Sequence, residues 1–254
     1  MHCKECEKDC IGCEWRDYVA DHIYGIPRDD LIMMIISSEA DARHNIIWKE
    51  ASQEIDKKSC SDEELVRAYG KTQHSWSIAT APNKMGFVNW INRNLSGKKT
   101  SSLLDIGCGI GDLTCFFPYS HRIEGKVVGI DGSEIPLATA KKIAESARVP
   151  VEFKNCSASA LPFDKDEFEV VFHKDVLHWQ KDWWKSLCET TRVLSSGGIL
   201  FLQYQPDSSF RRCEAEPSIV VGRLKLAGMN VPNQPEITDT VSRSRIVRIL
   251  AIKE

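Results

Sequence analysis

The stretch Leu103-Leu104-Asp105-Ile106-Gly107-Cys108-Gly109-Ile110-Gly111-Asp112 decides the fold of this chain. Its apolar first half predicts a short buried strand, which ends where three glycines alternate with other residues. Glycine lets the backbone turn sharply and approach a ligand that a Cβ would block. Residues 112–117 predict a helix, whose first amide groups would face whatever lies on the glycines. The G-x-G-x-G spacing is one residue short of the dinucleotide fingerprint, and a tight structural turn is the alternative.

A second buried strand, 127–130, ends in Asp131. This acid follows the glycines by about 20 residues, the offset at which a carboxylate can reach a ribose hydroxyl. Further strands and helices alternate along the chain, which predicts a parallel sheet. From residue 81 onward, the predicted strands lie near 103–106, 127–130, 151–155, 168–173, 198–204 and 245–252, and the predicted helices near 81–95, 111–117, 133–147, 181–194 and 219–229.

Together these segments resemble the class I S-adenosylmethionine-dependent methyltransferases. Residues 104–111 match the first motif of that family, and segments 160–163, 168–171, 175–179 and 192–200 match later pieces in order. The resemblance covers roughly residues 80 to 254. It implies a Rossmann-like α/β fold with a seven-stranded, mostly parallel sheet, helices on both faces and an antiparallel last strand. It also implies an N-terminal helical cap, which in relatives often closes over the substrate.

The resemblance assigns S-adenosylmethionine to the carboxyl edge of the sheet. Asp131 would accept the ribose hydroxyls, with capping of the next helix as the alternative. Ser157 stands where many relatives have an acid that holds the adenine amino group, so a weaker hydrogen bond is expected there. The cofactor-binding residues implied are Asp105, Gly107, Cys108, Gly109, Gly111, Asp131, Gly132, Ser133, Ser157, Ala158 and Lys174.

Catalytic residues are harder to read from the sequence. The methyl group of the cofactor is already activated, so the protein must align donor and acceptor, exclude water and, where needed, remove a proton. The candidates are His173 and His178, which lie on the loop that faces the methyl group in relatives, and Tyr204, just past the fifth strand at the carboxyl edge, where substrates bind in open sheets. Imidazole titrates near neutrality, but packing is the alternative for His178. Lys174 and Asp175 lie on the same loop, and a simple ion pair with each other is the alternative to a role at the methyl group.

Four cysteines at the N-terminus, Cys3, Cys6, Cys10 and Cys13, are spaced C-x2-C-x3-C-x2-C. Paired thiolates at such spacing can hold zinc or an iron–sulfur cluster. The gap between the pairs is shorter than in most zinc ribbons, and free thiols or a redox pair are the alternatives. The predicted domains are a candidate metal-binding tip at 1–14, a helical cap at 15–97 and a methyltransferase domain at 98–254.

Composition limits the class of protein and its partners. A net charge of -3 over 254 residues provides no basic footprint for nucleic acid. No apolar run approaches membrane-spanning length, so no membrane partner is expected. The N-terminus has cysteines and charges where a signal peptide would be apolar, and ten cysteines in such a chain indicate reduced thiols. A cytoplasmic protein is expected.

The resemblance thus predicts an enzyme that moves a methyl group from S-adenosylmethionine to a small-molecule nucleophile by in-line displacement. One alternative is a tRNA or protein methyltransferase that recognises its partner through the cysteines. Another is a non-catalytic module that senses cofactor or metal. Neither the identity of the acceptor nor the oligomeric state follows from the sequence.

Overall fold

The computed structural model describes residues 11–24, 64, 81–95, 98–207, 215–239 and 245–254. Within these ranges a mixed sheet carries helices on both faces. Its strands are β1 Thr100–Ile106, β2 Ile123–Asp131, β3 Val151–Asn155, β4 Phe168–Lys174, β5 Leu194–Tyr204, β6 Met229–Asn230, β7 Glu236–Asp239 and β8 Arg245–Lys253. The helices are α1 Ile11–Val19, extended by a π-helix at Ala20–Tyr24, α2 Ala81–Leu95, α3 Asp112–Tyr119, α4 Glu134–Ala147, α5 Trp183–Val193 and α6 Pro217–Leu226, with a 3-10 turn at Leu177–Trp179.

The strand order is β3-β2-β1-β4-β5-β8-β6, and β7 also pairs with β8. Strands β1 to β5 are parallel, whereas β8 is antiparallel to β5. The predicted Rossmann-like fold and its antiparallel last long strand are therefore confirmed. The short strands β6 and β7 were not predicted, because two and four residues carry too little pattern.

One helix boundary was predicted wrongly. The helix expected over 219–229 ends at Leu226, and Met229 already belongs to β6. Gly228 has a φ of 80°. A glycine in this left-handed conformation just past a helix terminates it, so the apolar residues beyond it could not extend the helical pattern.

The helices α1 and α2, which precede the sheet in the chain, pack into the core on one of its faces. Trp15 and Tyr18 of α1 are buried in the same cluster as side chains of β1, β2, β4 and β5. In α2, Phe87 lies edge-on to Phe172 of β4, with ring centroids 5.8 Å apart, and Trp90 lies edge-on to Phe201 of β5 at 5.1 Å. The described parts of the predicted 15–97 cap thus form a layer on the sheet, and a domain boundary at residue 97 stays a prediction.

The other face of the sheet is covered by α5 and α6, whose buried side chains include Leu187 and Leu224. The carboxyl ends of β1 and β4 lie side by side at the centre of the sheet, where the strand order reverses. In open α/β sheets this switch point is where ligands bind. In the described part of the chain, no helix is long and apolar enough to cross a membrane.

Candidate functional site

The loop after β1 is fixed by its glycines. Gly107, Gly109 and Gly111 have φ values of 70°, 56° and 71°, a left-handed conformation that side chains disfavour. A Cβ on Gly107 would lie 2.1 Å from Cγ2 of Val176, and one on Gly111 would lie 2.8 Å from Cζ of Phe153. Two of the glycines are therefore required by packing inside the protein as well as by backbone conformation.

Asp131, at the end of β2, joins this loop to the start of α4. Its Oδ2 accepts from the backbone N–H of Gly109 at 3.0 Å, and its Oδ1 accepts from the N–H of Ser133 at 2.9 Å. Burial raises the pKa of Asp131, and the two amide donors oppose that rise. Each carboxylate oxygen has a second lone pair available. The N-cap residue of α4 is Ser133, not Asp131. The ribose role of Asp131 therefore stays a prediction, with two acceptor positions to support it.

Asp105 ties β1 to α3 beneath the glycine loop. The hydroxyl of Thr114 donates to Asp105 Oδ2 at 2.6 Å, and Asp105 is 3% exposed. Burial raises the pKa of this carboxyl to about 7, although the Thr114 hydrogen bond opposes the rise. Asp105 thus supports the loop from a buried position, and its carboxyl changes protonation near neutral pH.

A buried ion pair that the sequence did not predict lies beside the loop. Lys84, in the first turn of α2, pairs with Asp112, the first residue of α3. The two side chains are only 11% and 4% exposed. Burial lowers the pKa of Lys84, and the nearby carboxylate opposes that shift. The only sequence signal was a lysine among the apolar residues of a predicted helix.

The remaining residues predicted to bind the cofactor follow the carboxyl ends of β1, β2 and β3. Ser157 is exposed, and its hydroxyl accepts from the backbone N–H of Ser159 at 3.2 Å. Cys108 is a buried thiol whose pKa is raised well above its usual value by burial. Gly132 is exposed, and Ala158 packs partly buried against the α5 side of the core. The structure therefore brings this set to one edge of the sheet.

His173 and Tyr204 are enclosed by protein. His173 is 0% exposed, and its Nε2 lies 3.2 Å from the Ser186 hydroxyl. Burial lowers its pKa from 6.5 to about 4, so the ring is neutral at pH 7. Tyr204 is 0% exposed in the same cluster as α5 and α6. This burial favours packing roles for both residues, and a catalytic role has no geometric support.

His178 is held in one tautomer by its backbone contact. The N–H of Gln205 donates to Nδ1 of His178 at 3.4 Å, so the neutral ring carries its proton on Nε2. Burial lowers its pKa to about 4. Such a ring presents an N–H donor, which does not suit the base role considered for it.

Lys174 and Asp175, at the end of β4, form the ion pair expected as their alternative. Burial alone would raise the pKa of Asp175, but Lys174 and other neighbours outweigh this and lower it. The Gln203 side chain donates from Nε2 to Asp175 Oδ1 at 3.3 Å, and its Oε1 accepts from Arg248 Nε at 2.8 Å. Gln203 and Arg248 were missed in the sequence, since only the fold brings β5 and β8 together.

The four cysteines of the predicted metal site lie outside the described side chains. Cys3, Cys6 and Cys10 lie outside the described residues, and of Cys13 only the backbone, within α1, is described. Among the residues that the structure does describe, no group of His, Cys, Asp or Glu is arranged to hold a metal ion.

The fold and this edge define an α/β protein with an open sheet, a glycine loop at the switch point and a buried acid bonded to that loop. A family model described as "Methyltransferase domain" matches residues 104–202. The resemblance to the class I S-adenosylmethionine-dependent methyltransferases that the sequence predicted is therefore confirmed over these residues.

Known proteins are similar to this chain over part of their length. The chain is 37% identical to a demethylmenaquinone methyltransferase of Lactococcus lactis over 59% of this chain and 56% of that protein. It is 32% identical to a ubiquinone biosynthesis O-methyltransferase of Pelagibacter ubique, over 41% and 42% respectively. The chain thus spans about half the length of these relatives. The structure of the [4+2]-cyclase SpnF shares the fold with a TM-score of 0.57 at 16% identity, covering 65% of this chain and 78% of that one.

Proposed function

We propose that this protein transfers the methyl group of S-adenosylmethionine to a small-molecule nucleophile. The observation that carries the proposal is the pair of backbone hydrogen bonds that Asp131 accepts from Gly109 and Ser133. They hold the carboxylate against the glycine loop at the switch point, where a nucleoside would be bound. The match of residues 104–202 to the methyltransferase domain supports the choice of cofactor.

The residues present suit the parts of this cofactor. The free lone pairs of Asp131 would accept the ribose hydroxyls. Lys84 would hold the methionine carboxylate, because it is a buried cation beside the loop whose present partner is another carboxylate, that of Asp112. The adenine would lie between the ends of β2 and β3, near Ser157 and Ala158. Since the Ser157 hydroxyl already accepts from Ser159, its bond to the adenine would be weak.

The cofactor supplies a methyl group on a sulfonium, ready for displacement by a lone pair of the acceptor. The protein contributes alignment and exclusion of water. His173 and His178 are both neutral at pH 7, because burial lowers the pKa of each to about 4. Neither ring is arranged as a base, so an acceptor that is already a good nucleophile, or that loses its proton to solvent, fits the site best.

The small-molecule class of the acceptor rests on the relatives, whose names refer to demethylmenaquinone and to ubiquinone biosynthesis. The net charge of -3 offers no support for a tRNA acceptor. The [4+2]-cyclase among the structural neighbours indicates that this fold is not by itself proof of methyl transfer.

Turnover tests the proposal directly. The protein is incubated with methyl-labelled S-adenosylmethionine and a panel of phenols, quinols, amines and thiols, and S-adenosylhomocysteine is measured. We expect product formation that depends on one acceptor class and disappears in Asp131→Ala. Tight cofactor binding without product across the panel would favour the non-catalytic sensing module.

We infer from their spacing that Cys3, Cys6, Cys10 and Cys13 bind zinc or an iron–sulfur cluster, and from the cysteine content that the protein is cytoplasmic. Metal analysis of anaerobically purified protein, beside a Cys6→Ser/Cys10→Ser variant, tests the first. Equal metal content in both samples would contradict it.

A further inference from the structure

Asp175 has a left-handed backbone conformation, which is uncommon for residues other than glycine, although Asp and Asn adopt it more readily than most. Its φ of 57° is left-handed, which Asp adopts at a conformational disadvantage. Such strain persists only where the surroundings enforce it, and it often marks functional sites. Here the N–H of Asp175 donates to the backbone carbonyl of Gln203 at 2.7 Å, so strand β5 holds the residue from one side.

The side chain of Gln203 holds Asp175 from the other side. Gln203 is 0% exposed, and Nε2 donates to both carboxylate oxygens of Asp175 at 3.3 and 3.4 Å and to Asn83 Oδ1 at 3.0 Å. Its Oε1 accepts from Arg248 Nε. Because a guanidinium can only donate, Arg248 fixes which end of the Gln203 amide faces Asp175.

The backbone turn at Asp175 determines where the next residue lies. Val176 packs directly on the glycine loop, since a Cβ on Gly107 would lie 2.1 Å from its Cγ2. The next amides of the loop are those that close the candidate cofactor site: Cys108 N–H donates to Ile130 O at 2.8 Å, and Gly109 N–H donates to Asp131. A shift of Val176 would therefore loosen the loop.

We propose that Gln203 is a positioning residue of the methyl-transfer site: by holding Asp175 in its left-handed turn, it keeps Val176 against Gly107 and thereby orders the cofactor loop. The inference rests on the proposed function, because the loop is taken to bind the cofactor. The coupling itself joins two loops, one that contains Val176 and one that contains Gly107. A merely structural role, in which Gln203 only joins β5 to α2 and β8, is the competing account.

Gln203→Glu separates the two accounts. The new carboxylate still accepts from Arg248, and the Asn83 amide can turn to donate to it, so the contacts to α2 and β8 survive. Only the Nε2 donor that faces Asp175 is lost, and a carboxylate oxygen with the same charge as Asp175 takes its place. Adding Asp175→Asn reverses the polarity of the pair, because the asparagine amide can donate to the new carboxylate and tolerates a left-handed φ. Thr190→Val, which removes a buried hydroxyl bonded within α5, is the control for general destabilisation.

The experiment measures hydrogen exchange of the amides at 107–111 and the Kd for S-adenosylmethionine by calorimetry. We expect roughly tenfold faster loop exchange and roughly tenfold weaker binding in Gln203→Glu, the size of a lost hydrogen bond to a charged group, with recovery in the double variant. Thr190→Val should leave both near wild type.

Unchanged loop exchange in Gln203→Glu would overturn the inference, as would an equal change in Thr190→Val. Failure of the wild type to bind S-adenosylmethionine would instead overturn the proposed function. In that case the exchange data alone would still decide whether Gln203 orders the loop.

Discussion

The two halves of the carboxyl edge are held together in different ways. On the β1–β2 side, the contacts are short in sequence: Thr114 bonds Asp105 nine residues away, and Gly109 bonds Asp131 22 residues away. On the β4–β5–β8 side, Gln203 bonds Asn83 120 residues away and Arg248 45 residues away. The first half is a local motif, while the second is assembled only by the completed fold.

This difference explains why the cofactor is easier to assign than the acceptor. Backbone amides and glycines shape the β1–β2 half, and their spacing is visible in the chain. The β4–β5–β8 half is made of side chains whose neighbours are set by the strand order, so its chemistry depends on residues that no motif marks. Variants that act on one half and spare the other therefore test the account.

The largest effect is expected from Gly107→Ala, which disrupts the contact with Val176 that joins the two halves. Its Cβ would overlap Val176, and its φ of 70° disfavours any side chain. Overpacking costs about 1–3 kcal/mol and a left-handed side chain about 1–2 kcal/mol, so a loop that shifts to relieve both should bind S-adenosylmethionine roughly a hundredfold more weakly by calorimetry. Gly197→Ala is the control, since Gly197 has a φ of 74° but a Cβ added to it would meet no atom within 4 Å. Equal losses in both variants would assign the effect to backbone strain alone.

Asp131→Ala acts on the β1–β2 half alone. We expect S-adenosylmethionine affinity to fall by roughly ten- to a hundredfold, because two charge-assisted hydrogen bonds and the ribose acceptor are removed. Asp182→Ala removes a comparable carboxylate, which accepts from Lys185 N–H at the start of α5. That control should lower stability by about 1 kcal/mol without changing affinity. Unaltered affinity in Asp131→Ala would refute the ribose assignment.

Lys84→Met tests whether the buried lysine belongs to the cofactor half. We expect roughly tenfold weaker binding of S-adenosylmethionine, together with a loss of a few kcal/mol of stability, because the buried carboxylate of Asp112 loses the ammonium group that pairs with it. Adding Asp112→Asn should restore part of the stability but not the affinity. Recovery of both would mean that Lys84 is structural. Lys126→Met, which breaks a half-exposed pair with Glu167, should change neither appreciably.

The smallest effect concerns pH, where the two halves act in opposite directions. The pKa of His173 falls from 6.5 to about 4 by burial, so its contribution to stability is lost as pH drops through that window. The pKa of Asp105 rises from 3.8 to about 7 by burial, so its contribution is lost as pH rises through that window. Thermal melts from pH 4 to 8 should show a flatter acid limb in His173→Gln and a steeper one in Asp105→Asn, by on the order of 1 kcal/mol per pH unit. Parallel curves for all three proteins would contradict these shifts.

The sequence predicted well what depends on local pattern. The five parallel strands, the last antiparallel strand and the helices around the glycine loop were all anticipated, because periodicity and glycine spacing specify them. The end of α6 was misjudged at Gly228, and β6 and β7 were too short to detect. Lys84 and Gln203 were missed for a different reason, because the role of each depends on a partner in another element that only the fold brings near. His178 was considered as a base because its residue type allows it, and only the Gln205 contact reveals its tautomer.

The central claim is that the glycine loop and Asp131 bind S-adenosylmethionine. Calorimetric titration of the wild type and Asp131→Ala, side by side, tests it most directly. The account predicts one site per chain in the wild type and a binding isotherm at least tenfold weaker in the variant. No binding by folded wild-type protein, or equal binding by both, would contradict it.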